Sequence, residues 1–163
     1  MTEKEFRQRV MSLHRLMYGM ALRMGMPPDD AADAVQDTQL KLWRLRHGIP
    51  DDPDELRLYC LKAFRNSCIS WFRRQHPEES ADSLSDTPSP SASDAEYRDT
   101  RAAIERLIDS LPEGQRTAIR LSSFGGLDNN EIAATTGLSE ANVRQLLSRG
   151  RRKLRERWRM ISD

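Results

Sequence analysis

The stretch DNNEIAATTGLSEANVRQLLSRGRRKL, Asp128–Leu154, holds two helix starts with a stop between them. Asp128 with Glu131 three residues later is a capping box, in which each side chain satisfies the other's free backbone N–H. Ile132 and Ala133 follow, and Gly137 stands where a left-handed glycine ends a helix. Ser139 then caps a longer helix. Val143, Leu147, Gly150, Leu154, Trp158 and Ile161 form one apolar stripe along it at helical spacing. That stripe leaves Glu140, Asn142, Arg144, Gln145, Ser148 and Arg149 facing outward. Arg grips guanine bidentately and Asn or Gln grips adenine, so this face suits base edges. The turn alone fits a helix-turn-helix and a solvated bundle face equally well. The tail tips the balance: SRGRRKLRERWR, residues 148–159, has seven basic residues and one acid. Cations such as Arg151 and Arg152 neutralise phosphates and anchor a reading helix.

Working outward, Gly125-Gly126 stops a preceding helix that carries Ile119, Leu121 and Phe124. Leu111-Pro112 separates it from another with Ile104, Leu107 and Ile108. At the far end of the chain, Thr2 with Glu5 forms a first capping box. Phe6, Val10, Leu13, Met17, Met20 and Met24 then predict one helix, ended by Gly25-Met26-Pro27-Pro28. Its methionine stripe reads as core filler. Asp29 and Asp30 open a second helix, where acids meet the positive end of the dipole. Asp52-Pro53 opens a third, roughly 53–76. Between the two helical regions, PEESADSLSDTPSPSAS (77–93) is rich in Pro, Ser and acids without apolar period, the composition of a flexible linker. Its 17 residues span about 21–25 Å as a coil and roughly 56–61 Å fully extended. No strand pattern or repeat occurs. The predicted fold is all-α, two small helical domains (1–76 and 98–163) joined by an acidic linker (77–97).

The net charge of +1 hides an uneven distribution. Residues 1–76 carry +3, 77–99 carry −6 and 100–163 carry +4, so two basic units flank an acidic connector. No apolar run approaches the roughly 18 residues that span a bilayer. MTEKEFRQRV lacks a signal-peptide core, and a cytoplasmic protein is expected. Cys60 and Cys68 on one helix stand about 12 Å apart, too far for a disulfide. They read as buried thiols, with no zinc-ligand spacing around them and no cofactor implied. There is no glycine-rich phosphate loop, and His14, His47 and His76 are scattered, so no enzyme is expected.

Two further stretches carry chemistry. LRLYCLKAFRNSCISWFRRQH, residues 56–76, has five basic residues, no acid, and Tyr59, Phe64, Trp71 and Phe72. Rings among cations suit single-stranded nucleic acid, since bases stack while cations follow the backbone. The same rings also supply the apolar face the helix needs. In DAVQDTQLKLW, residues 33–43, Asp33 and Asp37 are four apart and share a helix face, with Gln36 beside them. A basic or amide-bearing partner would offset their repulsion, although acids near a helix start also have a dipole explanation.

In this order, with an acidic linker between, the stretches resemble the compact bacterial RNA polymerase sigma factors of the sigma-70 family, extracytoplasmic-function subgroup. The resemblance covers nearly the whole chain. Asp33-Ala34-Val35-Gln36-Asp37 with Leu40-Lys41-Leu42-Trp43 is similar to the segment that docks on the clamp coiled coil of core RNA polymerase. It implies that role for Asp33, Gln36, Asp37, Leu40, Lys41 and Trp43. Ala63-Phe64-Arg65-Asn66 and Trp71-Phe72-Arg73-Arg74 resemble the promoter −10 region. They imply contact with melted, single-stranded DNA by Tyr59, Lys62, Arg65, Asn66, Trp71, Arg73 and Arg74. Leu111-Pro112-Glu113-Gly114-Gln115-Arg116, Gly126-Leu127, Glu131-Ile132-Ala133 and Asn142-Val143-Arg144 resemble the domain that binds double-stranded −35 DNA. They imply that role for Ser139, Asn142, Arg144, Gln145, Ser148, Arg149, Arg151 and Arg152. Gln39 departs from the family's usual aromatic or large apolar residue, and Asp128-Asn129-Asn130 replaces the commoner small-aromatic pattern before Glu131 while keeping the capping box. An anti-sigma protein is a further implied partner, and the free chain is expected to be a monomer. Two rivals stand beside this reading. One is a helix-turn-helix regulator acting without polymerase, which usually dimerises on palindromic sites. The other is a protein-only adaptor, which leaves the basic residues of 148–159 without a role.

Overall fold

The computed structural model describes residues 1–75 and 100–162. All regular structure among the described residues is helical. The chain divides into two compact units, Met1–Gln75 and His76–Asp163. The linker expected over 77–97 lies outside the described residues.

The N-terminal unit opens with α1, Glu3–Arg9. The Thr2 hydroxyl accepts from the Glu5 N–H at 3.2 Å, and the Glu5 carboxylate accepts from the Thr2 N–H at 2.7 Å. The bond from the Thr2 N–H foremost, with the Thr2 hydroxyl second, holds the Glu5 carboxyl below its usual pKa. The apolar spacing predicts one continuous helix to Met24, but the structure breaks it. A 3-10 turn, Met11–Leu13, separates α1 from α2, His14–Met24. Leu13 N–H donates to the Val10 carbonyl at 3.0 Å and the Ser12 hydroxyl to the Arg9 carbonyl at 3.4 Å. These three-residue bonds replace the helical ladder locally, a competition to which serine is prone. Gly25, at φ 108°, ends α2 in the left-handed region that favours glycine.

Helix α3, Pro28–Arg44, and α4, Pro53–Gln75, complete this unit, with α3 packed on both α2 and α4. Pro28 sits in the first turn of α3 together with Asp29 and Asp30. The Asp52 carboxylate accepts from the N–H groups of Asp54 and Glu55, both at 3.1 Å, and so caps α4. The core includes Met17, Met24, Val35, Leu42, Leu56 and Phe64. On α4, Leu56, Cys60, Phe64, Cys68 and Phe72 are buried at four-residue steps. Each step overshoots a 3.6-residue turn by about 40°, so the buried stripe winds around the helix. Burial pushes the thiols of Cys60 and Cys68 up to about 11 and about 12.

The C-terminal unit comprises α5, Thr100–Asp109; α6, Glu113–Ser123; α7, Asn129–Thr136; and α8, Glu140–Ser162. Its core gathers Leu107, Leu111, Leu121, Ile132, Val143 and Leu147. Helix α8 packs on α5, α6 and α7. It passes α6 closely at Gly150, where a Cβ would stand 3.1 Å from Ile119 Cγ1. The stripe predicted along α8 is buried only over its first half. Val143, Leu147 and Gly150 are buried, Leu154 and Trp158 are half-buried, and Ile161 is exposed. Past Gly150 the stripe is only partly covered.

Candidate functional site

Helices α7 and α8 and the bend between them form the predicted helix-turn-helix. Asp128 accepts from the Glu131 N–H at 2.8 Å, and Glu131 accepts from the Asp128 N–H at 3.3 Å. Gly137 closes α7 at φ 76°. The Ser139 hydroxyl accepts from the Asn142 N–H at 3.1 Å, so Ser139 caps α8 and is occupied in doing so. Asn142, Arg144, Gln145, Ser148, Arg149, Arg151 and Arg152 are all exposed. They do not form one surface. Arg144, Ser148 and Arg151 line a cleft of about 250 Å3 on one flank of α8, with Asn129 from the start of α7. Arg149 and Arg152 line a wider cleft of about 570 Å3 on the opposite flank, against Ser110 and Gln115. A helix lying in a major groove meets a phosphate wall on each side. Two basic flanks with Gln145 and Asn142 exposed as well fit that arrangement.

Arg120 is a functional-looking cation that the sequence reading passes over. It is 5% exposed and pairs with Glu105 at 2.9 Å and Asp109 at 2.8 Å. It ties α6 to α5 and belongs to the scaffold under the basic helix. Its partners lie 15 and 11 residues back along the chain, beyond the three- and four-residue spacings that make helical pairs readable.

In the N-terminal unit, Asp33, Gln36, Asp37, Leu40 and Lys41 are all exposed on α3 and form a ridge along it. Trp43 is half-buried: its ring meets Phe6 edge-on at 5.1 Å, and the Arg46 guanidinium lies over it at 3.9 Å. The ring ties α1 to α3. Thr38, between the ridge residues, turns inward and donates to the Ser67 hydroxyl of α4 at 3.2 Å.

The residues assigned to single-stranded DNA separate by depth. Phe64 and Phe72 are core. Tyr59, Lys62, Asn66 and Arg73 are exposed, and their spacings of three, four and seven put them on one face of α4. Arg65 is half-buried, and Arg74 is exposed. Trp71 is half-buried with its ring edge-on to Phe72 at 4.9 Å. It lines the cleft between α3 and α4 instead of the Tyr59 face. That cleft, about 580 Å3, joins Asp33, Asp37 and Lys41 of α3 to Asn66, Trp71 and Arg74 of α4. Two sets of residues that the sequence assigns to different ligands therefore share a border, which only the packing of α3 on α4 reveals.

Two helical units, one ending in a helix-turn-helix with a basic second helix, define a class of DNA-associated transcription proteins. The comparisons place the chain within it. Residues 9–78 match sigma-70 region 2, and residues 101–154 match sigma-70 region 4. The chain is 30% identical over 161 residues to the RNA polymerase sigma factor NccH of Alcaligenes xylosoxydans, covering 91% of this chain and 84% of that protein. It is 26% identical over 140 residues to the ECF RNA polymerase sigma factor RpoE of Cereibacter sphaeroides, covering 85% and 77%. Among solved structures it is similar to the sigma factor RpoE of Bartonella quintana, crystallised with the anti-sigma factor NepR. The TM-score is 0.48 at 24% identity, over 94% of this chain and 96% of that one. The chain belongs to the sigma-70 family of RNA polymerase sigma factors, in its ECF subgroup. No helix among the described residues is long and apolar enough to cross a membrane.

Proposed function

We propose that this chain binds core RNA polymerase through the α3 ridge and directs initiation at promoters whose −10 and −35 elements its two units read. The observation that carries the proposal is the ridge. Asp33, Gln36 and Asp37 stand exposed on one helix face, where like charges repel unless a basic or amide-bearing partner covers them. In the same reading Tyr59, 39% exposed on the face it shares with Lys62, Asn66 and Arg73, is the ring on which an unpaired −10 base stacks. Arg144 and Gln145 read −35 base edges, and Arg149, Arg151 and Arg152 hold the two phosphate walls. An anti-sigma protein, as the family implies, would act by covering these faces.

The test is reconstitution. Purified chain mixed with core polymerase is expected to co-elute from a sizing column and to support transcription from a subset of a promoter library. The Asp33→Ala, Gln36→Ala, Asp37→Ala triple variant keeps its helical spectrum and loses both properties. A triple variant that competes for core normally removes the ridge from the interface. Tight, specific binding of promoter DNA by the chain alone would favour the regulator that acts without polymerase.

A further inference from the structure

The wider cleft on α8 holds more charge than base reading uses. Arg149, Arg152, Lys153 and Arg157 line it, with Glu156 the only acid among its described lining residues. Lys153 and Arg157 are half-buried. Counted from the Ser139 cap at about 1.5 Å per residue, they stand about 21 and 27 Å along the helix. The major groove is about 12 Å wide. A helix that enters it by the turns from Asn142 to Arg149 carries Lys153 and Arg157 beyond the base pairs it reads. None of the four cations is ion-paired to an acid among the described residues. Arg157 donates instead to the Ser110 hydroxyl, which itself donates to the Leu107 carbonyl at 2.6 Å. These bonds fix the guanidinium at the α5–α6 corner through a neutral partner and leave its charge uncompensated. The first turn of α6 begins at the same corner, behind Pro112, with no side chain capping it. The positive end of its dipole adds to the potential of the cleft.

We propose that this cleft binds a polyphosphate anion, either free or as the tail of a nucleotide. Its cations extend about 12 Å along the helix from Arg149 to Arg157, farther than a single phosphate reaches. A chain of two or three phosphates engages them all. Each guanidinium offers a fork of N–H donors to phosphate oxygens, and the Lys153 ammonium a compact charge. At about 570 Å3 the cleft has the volume of a small-molecule site. Half-burial of Lys153 and Arg157 keeps their charge from being fully screened by salt. Glu156 is exposed, so water screens its opposing charge. An occupied cleft engages Arg149 and Arg152, which the proposed function gives to a DNA phosphate wall. Polyphosphate therefore competes with −35 DNA on this flank. That consequence rests on the proposed function, while the binding itself does not.

The full chain is titrated by calorimetry with sodium tripolyphosphate and, separately, with ATP, without magnesium and at about 0.15 M salt. One-to-one binding is expected. The Lys153→Gln/Arg157→Gln variant is expected to keep its helical spectrum and to bind at least tenfold more weakly. Ser110→Ala frees Arg157 without removing a charge and is expected to bind several-fold more weakly. Arg155→Gln removes a cation from the opposite flank and is expected to bind as the wild type does. Equal losses per charge at both flanks, with none for Ser110→Ala, would show mere attraction to a basic helix and overturn the proposal. Tighter binding of ATP than of tripolyphosphate assigns the ligand to nucleotides, and equal binding assigns it to the phosphate chain alone. Holoenzyme binding to promoter DNA tests the consequence. Tripolyphosphate is expected to weaken it for the wild type and far less for the Lys153→Gln/Arg157→Gln variant. If calorimetry succeeds and promoter binding is untouched, the polyphosphate site stands and the DNA role of Arg149 and Arg152 falls. If the double variant, with no anion added, loses promoter affinity as strongly as Arg152→Ala does, DNA fills the whole cleft and the proposal falls.

Discussion

Arg120 shows how much depends on which member of a buried pair is removed. Its side chain is 6% exposed, while those of Glu105 and Asp109 are 32% and 64% exposed. Truncating Arg120→Ala leaves carboxylates that water can reach, so the loss is mainly packing and two charge-assisted bonds, about 2 kcal/mol. Replacing both acids by alanine leaves the buried guanidinium with neither carboxylate and is expected to cost more, toward ~3–5 kcal/mol. Urea unfolding of the two variants checks the order. On the proposed DNA face the residues differ in kind. Loss of Arg144 or Gln145 is expected to relax preference at individual −35 positions by roughly 1–3 kcal/mol per bidentate contact. Loss of Arg152 is expected to weaken all sequences alike and to reduce the salt slope by about one. Binding of holoenzyme to a panel of −35 variants at several salt concentrations distinguishes the two behaviours. Outward-facing residues of α8 were legible because the Val143, Leu147 and Gly150 stripe fixes which side is in. Arg120 and the inward turn of Gln39 were not, since each depends on a neighbouring helix.

Local hydrogen-bonding motifs carry most of what the sequence discloses at the level of elements. Both capping boxes, Thr2 with Glu5 and Asp128 with Glu131, form as spaced, as does the Ser139 cap. Asp128→Ala is therefore expected to cost about 1 kcal/mol of stability in the C-terminal unit, seen as a lower denaturation midpoint. The break at Val10–Leu13 was not legible, because apolar spacing continues through it while the backbone changes its bonding. On α4 the sequence does give two thiols on the core side, and their environment has a pH consequence. Burial raises both pKa values, to about 11 and about 12 from an ordinary 9.0. The folded chain then keeps protons that the unfolded chain releases above pH ~9, so this contribution is intact below that pH and is lost as pH rises toward 11–12. Melting temperature is expected to decline above pH 9 less steeply when Cys60 and Cys68 are replaced by alanine, from a lower starting value. A thiol reagent at pH 8 is expected to label both only when the N-terminal unit unfolds.

In the proposed function, the length of the linker decides whether both units can act on one promoter. Elements separated by about 17 base pairs lie roughly 58 Å apart at 3.4 Å per pair. The 17 residues of 77–93 reach roughly 56–61 Å at full extension. Composition alone therefore states how far apart the units can act, even though it says nothing of how they are held. Removing eight residues, 82–89, leaves nine and cuts that reach to about 30–32 Å. The shortened chain has lost none of the α3 ridge, the Tyr59 face or the basic flanks of α8, so each separate contact is expected to persist. Core binding is then unchanged in titration, while transcription from promoters needing both elements falls by at least tenfold. Replacing the deleted stretch with eight Gly/Ser residues restores length without its two acids, Asp82 and Asp86. Recovery of transcription with that insert assigns the defect to reach. Continued failure with it assigns the defect to the acidic residues, which would then act on polymerase directly.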